Sequence, residues 1–197
     1  MCTTMDRRII AFWRVRESNG HFSQFCKRNF QFNSDILENF PDEIKNLNLY
    51  KNKFEVLEKM ATHNVYSCAE KWMMMSKAAI FDDNESFELM CKENSPPKIK
   101  KLGRGVSGFD PLKWNEYDMD IVKIGNYLKY SQNVELKEKI IATDDAIIVE
   151  ASPQDRKWGV GLRPEDEKVQ NPEMWKGENK LGICLEWVRD LINKENM

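Results

Sequence analysis

The stretch NVYSCAEKWMMMSKA, residues 64–78, sets one acid, Glu70, and one amine, Lys77, seven positions apart. On a helix, positions i, i+3, i+4 and i+7 share a face. Glu70, Met73, Met74 and Lys77 therefore form one stripe, with about 10 Å along the axis between its polar ends at 1.5 Å per residue. A carboxylate can stabilise developing positive charge or activate water, and an amine can donate a proton or attack a carbonyl carbon. Two long polar side chains flanking methionines on a face that should be core suit the wall of a pocket. A competing account is local: Ser67-Cys68-Ala69-Glu70 fits a capping box, with Ser67 as N-cap and Glu70 at the third helical position bonding back to it. The methionines read as core under both accounts.

Other residues with chemistry to offer lie further along. In VEASPQDRKWGVGL (149–162) a carboxylate, Glu150, ends an apolar strand, and a Ser-Pro loop then carries Asp155, Arg156 and Trp158. Strand ends followed by loops present groups on a rigid support. Trp158 is either a stacking surface for a ring or plain core. LGRGVSGF (102–109) contains a literal GxGxxG, but a dinucleotide fingerprint must leave a strand and open a helix. Here it follows a basic segment behind two prolines, which argues against a Rossmann site. A plain surface turn and a loop holding one phosphate through Arg104 and backbone N–H groups both remain. Gly125-Asn126 sits inside a helical pattern, where the glycine signals close approach of a neighbouring helix or of a ligand. Asn179, before the closing helix, reads as its N-cap.

These groups need elements to position them. Strands are expected at RRIIAFWRV (7–15), KFEVLEK (53–59) and AIIVEA (146–151), with a second strand or extended loop over 21–32. A helix over 85–93 should stop before Ser95-Pro96-Pro97. Asp110-Pro111 should start another, running toward Gln132. Leu181, Cys184, Leu185, Val188, Leu191 and Ile192 recur at helical spacing in a closing amphipathic helix. The polar stretch 33–53, broken by Pro41, reads as an insertion with a short helix. The expected fold class is α+β, mainly α-helical: a single compact domain over residues 1–197 with a few short strands.

Composition narrows the function. The 197 residues suffice for one core with a cleft. Thirty basic against 32 acidic side chains, a net charge of −2, argue against a general nucleic-acid or membrane-surface binder. The start has no signal-peptide pattern and no apolar run of spanning length. Five scattered cysteines, Cys2, Cys26, Cys68, Cys91 and Cys184, with no CxxC pair, suit reduced buried thiols and a cytoplasmic location. Two histidines, His21 and His63, lack partners at ligand spacing, so no metal site is expected.

The motifs in order, Phe22-Ser23-x-Phe25, SCAEKWMMMSKA, LGRGVSGF, GNYLKYSQN, VEASPQDRKWGVGL, WKGENKLG and VRDLI, resemble the NADAR (YbiA-like) family of N-glycosidases. Gln24 stands where the family usually has asparagine, and the 33–53 insertion is longer than the family pattern. The resemblance implies a YbiA-like domain that hydrolyses a C–N bond between ribose and a base, without metal or cofactor. It implies Glu70, Lys77 and Asp155 as catalytic groups, with Lys77 a proton donor or a Schiff-base amine. It implies Arg104 for a phosphate, Trp158 for the base, Glu150 as a third acid, and Asn126 and Asn179 for the ribose hydroxyls or the site's geometry. The first substrate implied is a phosphorylated ribosyl-aminopyrimidine, an early riboflavin intermediate, cleaved to ribose 5-phosphate. The alternative is removal of ADP-ribose from guanine in nucleic acid, which Lys98, Lys100, Lys101 and Arg104 keep open. A non-catalytic ADP-ribose or nucleotide sensor is the reading from another class, and it has little use for Glu70, Lys77 and Asp155 together.

Overall fold

The computed structural model describes residues 7–196, which form two compact units. Residues up to Cys26 with those from Val134 make one, and Lys27–Asn133 the other. The fold is α+β and mainly helical, as composition and periodicity suggest.

In the Lys27–Asn133 unit, β2 (Phe30–Phe32) pairs antiparallel with β3 (Asn64–Tyr66). Between them the 33–53 stretch folds as three short helices, α1 (Ser34–Glu38), α2 (Asp42–Lys45) and α3 (Asn48–Asn52). The expected strand at 53–59 is instead α4 (Phe54–Ala61). Its buried residues Val56, Leu57, Met60 and Ala61 recur at helical spacing, and the apparent alternation ends at Leu57. Helix α5 (Ala69–Ile80) lies at the centre, buried at all twelve positions by α4, α6 (Asn84–Lys92), α7 (Pro96–Arg104) and α9 (Asp118–Ser131). Trp72 of α5 is fully buried and donates from Nε1 to the Ile121 carbonyl of α9 at 2.8 Å. The helix starting at Pro111 is α8 (Pro111–Asn115), capped by Asp110 as expected; it does not continue to Gln132. The chain breaks at Tyr117 and restarts as α9.

In the other unit, β1 (Ile9–Phe12) runs parallel to β4 (Ile147–Glu150), in register from Ile9 opposite Ile147 to Phe12 opposite Glu150. The 21–32 stretch begins as one 3-10 turn, Gly20–Phe22, and becomes β2 only at Phe30. α10 (Val134–Ile141) and α11 (Lys180–Glu195) pack together, and α11 also covers β4. Ile147, Val149, Ala151, Val160, Leu162 and Val169 form an apolar cluster on β4 and the loop after it. Cys26, Cys68 and Cys184 are buried thiols and Cys91 is half-buried; Cys2 lies outside the described residues. Among the described residues no helix is long and apolar enough to cross a membrane.

Candidate functional site

In the Lys27–Asn133 unit the site grows from α5. The capping box does not form: Cys68 is the N-cap, its side chain makes no cap bond, and Glu70 stands at the second helical position. Cys68 is fully extended, at φ −168° and ψ 165°, so the helix starts one residue later than the box requires. Glu70, Met73, Met74 and Lys77 share a face as the spacing requires, and each is at most 9% exposed. Burial, and then the charge of Glu70, push the Cys68 thiol above its ordinary value, so the thiol stays protonated.

Lys77 reaches both α7 and the loop after it. Its Nζ donates to the Gly103 carbonyl at 2.8 Å and lies 3.7 Å from the centroid of the Phe109 ring. A carbonyl acceptor and a ring face both suit an ammonium. Phe109, not singled out from the sequence, ends the LGRGVSGF motif, which is the signal that would have found it. It also meets Phe81 edge-on, with ring centroids 5.4 Å apart.

The glycine-rich segment differs from expectation. Leu102, Gly103 and Arg104 are the last turn of α7, and Gly105 is its C-cap. Amphipathic spacing around buried Ile99, begun by proline at the first helical turn, carries this helix through what reads as a loop. Arg104 is exposed at that end, one residue beyond the carbonyl that Lys77 holds. A helix C-terminus presents carbonyls and negative potential, so any phosphate there would depend on the guanidinium, not on a backbone cradle. Loop residue Ser107 donates its N–H to Asp83 Oδ2 at 2.9 Å, and Asp83 Oδ1 caps α6 at Ser86. These bonds hold the Asp83 carboxyl down to about 2.

Asn126 is fully buried on α9 beside Gly125. Its Nδ2 donates to the Val122 carbonyl at 2.8 Å, and its Oδ1 accepts no hydrogen bond among the described residues. A Cβ on Gly125 would stand 2.3 Å from Trp72 Cδ1, so close helix packing accounts for that glycine.

In the other unit Glu150, Asp155, Trp158 and Asn179 belong to one backbone tangle. Glu150 ends β4 half-buried, and its carbonyl accepts the Val160 N–H at 2.9 Å. Asp155 Oδ1 accepts the N–H groups of Lys157 at 3.0 Å and Trp158 at 2.8 Å, so this carboxylate shapes the loop that presents the half-buried indole. Asn179 occupies the N-cap position of α11 but makes no cap bond. Its backbone is left-handed (φ 53°), and its side chain, 2% exposed, clamps the strand. Oδ1 accepts from Glu150 N at 3.0 Å and Nδ2 donates to Ile148 O at 2.8 Å. Gly182 leaves the room for this: a Cβ there would lie 1.9 Å from Ile148 O and 2.4 Å from Asn179 Nδ2. Asn179 thus positions Glu150.

Comparison with known proteins places the chain. The NADAR domain family model matches residues 11–193. N-glycosidase R617 of Acanthamoeba polyphaga mimivirus is 42% identical over 126 residues, covering 64% of this chain and 74% of that protein. Protein irg-1 of Caenorhabditis elegans is 35% identical over 127 residues, covering 64% of this chain and 60% of that protein. The chain therefore spans less than two thirds of the length of irg-1. The NMR structure of the E. coli protein YbiA matches with a TM-score of 0.66 over 96% of this chain and 88% of YbiA, at 20% identity. That is a likeness of fold, and it makes the α+β, mainly helical architecture YbiA-like. On the family match, the chain belongs to the NADAR domain family.

Proposed function

We infer that this chain is an N-glycosidase. The observation that carries the reading is the buried face of α5, where Glu70 and Lys77 are held and the Lys77 ammonium sits between the Gly103 carbonyl and Phe109. We propose hydrolysis of the ribose–base C–N bond of phosphorylated ribosyl-aminopyrimidines, with release of ribose 5-phosphate. As the bond between the anomeric carbon and the base nitrogen breaks, positive charge builds on the sugar. The Glu70 carboxylate stabilises that charge and takes a proton from the attacking water. The new C–O bond forms at the anomeric carbon, and the departing nitrogen receives a proton. The Lys77 contacts suit this proton donor better than a Schiff-base amine, which must attack as the neutral form. Within the Lys27–Asn133 unit, Arg104 holds the phosphate and Asn126 sets the geometry. Within the other unit, Asp155 shapes the loop that presents Trp158 as a stacking surface, and Asn179 fixes Glu150. Both units belong to one NADAR domain, with 33–53 an insertion in it.

One observation supports a second substrate, ADP-ribosyl-guanine in nucleic acid. Lys98, Lys101 and Arg104 recur three apart on α7, all exposed. Such a row suits a phosphate backbone, and binding through it would weaken steeply with salt.

The test offers the purified protein a ribosyl-aminopyrimidine phosphate and, separately, an ADP-ribosylated guanine oligonucleotide, with Glu70→Gln and Lys77→Ala beside the parent. Turnover of the first substrate, lost in both variants while both remain folded, is expected. No turnover of either substrate by the parent refutes the N-glycosidase reading. Turnover surviving both substitutions refutes the site. A borohydride-trapped adduct at Lys77 would replace the donor role with the Schiff base.

A further inference from the structure

The Lys27–Asn133 unit holds a separate cavity of about 450 Å³, in the size range of small-molecule sites. Glu70, Lys77, Arg104 and Asn126 do not line it; Lys27, Asn29, His63, Ser67, Lys71 and Asn94 do. Lys71 is 2% exposed, although it carries an ammonium. It donates to Cys91 O at 2.9 Å and to Asn94 Oδ1 at 3.3 Å, which uses two of its three N–H groups. His63 Nε2 is buried and meets no hydrogen-bond partner among the described residues. A buried polar atom in that state costs stability unless something fills the role.

The charge is one-sided. The lining contains cations, amides, a hydroxyl, a thiol, an imidazole and the Val65 side chain, and among the described residues no carboxylate. Glu93, whose charge reaches Lys71, is committed to the N–H groups of Asn94 and Ser95, at 2.9 and 2.8 Å, and to Lys98 at 3.6 Å. Burial is the main force lowering the Lys71 amine from its ordinary value. Burial and then the Lys71 charge hold His63 at about 4, so its imidazole is neutral near pH 7. Ser67 and Lys71 also flank the first turn of α5, whose dipole adds positive potential.

We propose that this cavity binds the phosphate group of a small phosphate monoester. Lys71 and Lys27 supply the countercharge, Ser67 and the Asn29 and Asn94 amides supply neutral hydrogen bonds, and the His63 ring lines the site beside them. The proposal does not depend on the N-glycosidase reading, since none of the residues assigned to catalysis lines the cavity.

With only two histidines in the chain, His21→Gln leaves the His63 ring as the sole imidazole signal in proton NMR. In that background, inorganic phosphate and ribose 5-phosphate are titrated at pH 7 against sodium chloride of matched ionic strength. Both phosphates should move the His63 signal saturably, with ribose 5-phosphate binding more tightly. Lys71→Met should raise the midpoint at least about 10-fold, given the weight of one charge-assisted bond. Lys27→Ala and Ser67→Ala should raise it several-fold, and Arg104→Ala should leave it unchanged. Lys27 is exposed, so its variant keeps the test informative even where Lys71→Met does not fold. No saturable shift, an equal shift with sodium chloride, or indifference to Lys27→Ala and Ser67→Ala overturns the site. Loss of the response in Arg104→Ala would move the phosphate elsewhere. Binding of inorganic phosphate without ribose 5-phosphate would overturn the monoester assignment.

Discussion

Replacing Asn179 separates what holds the end of β4 from what merely starts α11. Asn179→Ala removes both bonds of the clamp and leaves Glu150 N–H and Ile148 O without the partner they have in the parent. Each such loss in a buried setting costs about 1–3 kcal/mol, so the pair is worth about 2–6. The left-handed backbone at φ 53° adds about 1 for alanine, because asparagine tolerates that region and a Cβ without a polar group does not. Asn179→Gly loses the same bonds without that strain, so it should fall short of the parent by less than Asn179→Ala does. Asn179→Asp keeps the acceptor for Glu150 N–H but turns a carboxylate oxygen toward the Ile148 carbonyl. It should be the worst of the three at neutral pH. The repulsion raises the folded-state pKa of the new acid, so the variant recovers stability below about pH 4 and loses it as pH rises. Denaturant unfolding followed by tryptophan fluorescence reads all three, because midpoint and slope together give the free energy. A loss below about 1 kcal/mol in Asn179→Ala, or parental stability in Asn179→Asp, would refute the clamp and return Asn179 to an ordinary cap.

Gly125→Ala should cost at least about 2 kcal/mol, since its Cβ meets Trp72 at 2.3 Å; Trp72→Phe in the same chain should recover part of that loss in a double-mutant cycle. Asp83→Asn should flatten the acid limb of the stability curve. The Asp83 carboxyl is depressed from 3.8 to about 2, so its contribution is present above pH 3.8 and lost as pH falls toward 2. The displacement is worth at most about 2 kcal/mol, and solvent screening cuts it to about 1, readable from urea midpoints at pH 5 and 2.5. Phe109→Leu should lower kcat/KM about 2- to 5-fold by removing a ring face worth about 0.5–1 kcal/mol to the Lys77 ammonium. Phe109 is 41% exposed, so the melting temperature should hardly move, and unchanged kinetics would deny the ring any part in the site.

How much was legible in the residues depended on whether a signal was local. The apolar run 146–151 and the period of 181–192 could belong only to a buried strand and an amphipathic helix, and they became β4 and α11. Asp110 and the Pro96-Pro97 pair marked helix ends that exist. The failures were tertiary. Tyr117, which interrupts the helix from Pro111, carries no glycine or proline to announce it. The window at 53–59 stopped short of Met60 and Ala61, the pair that completes the buried face of α4. Ser67 matched a capping box by type, yet Cys68 took the cap position and displaced Glu70 by one. For Asn179 the position was right and the partner wrong: a side chain expected to bond forward into its own helix bonds back to β4 across 29 residues. Lys71 and His63 had no sequence signal at all, because a cavity is made by segments that the chain order keeps apart.

Helix α5 shows why its charges are better explained by function than by stability. It is buried at every position, and an apolar residue in place of a buried ion is commonly neutral or stabilising. Three ionisable side chains, Glu70, Lys71 and Lys77, are nevertheless kept there. The two lysines end on backbone carbonyls of different neighbours, Lys71 on Cys91 of α6 and Lys77 on Gly103 of α7. They therefore fix the rotation of α5 against both helices, and rotation sets the direction in which Glu70 points. A catalytic carboxylate has to be held within about 0.5 Å of its working position by groups that do not themselves react. Lys71, adjacent to Glu70 and bonded away from it, meets that requirement in the proposed mechanism, in which Lys77, facing Phe109, is the proton donor. Under the proposed mechanism the buried charge on this helix is the means by which Glu70 is aimed, and its cost in desolvation falls on the element that the packing of four neighbouring helices makes hardest to move.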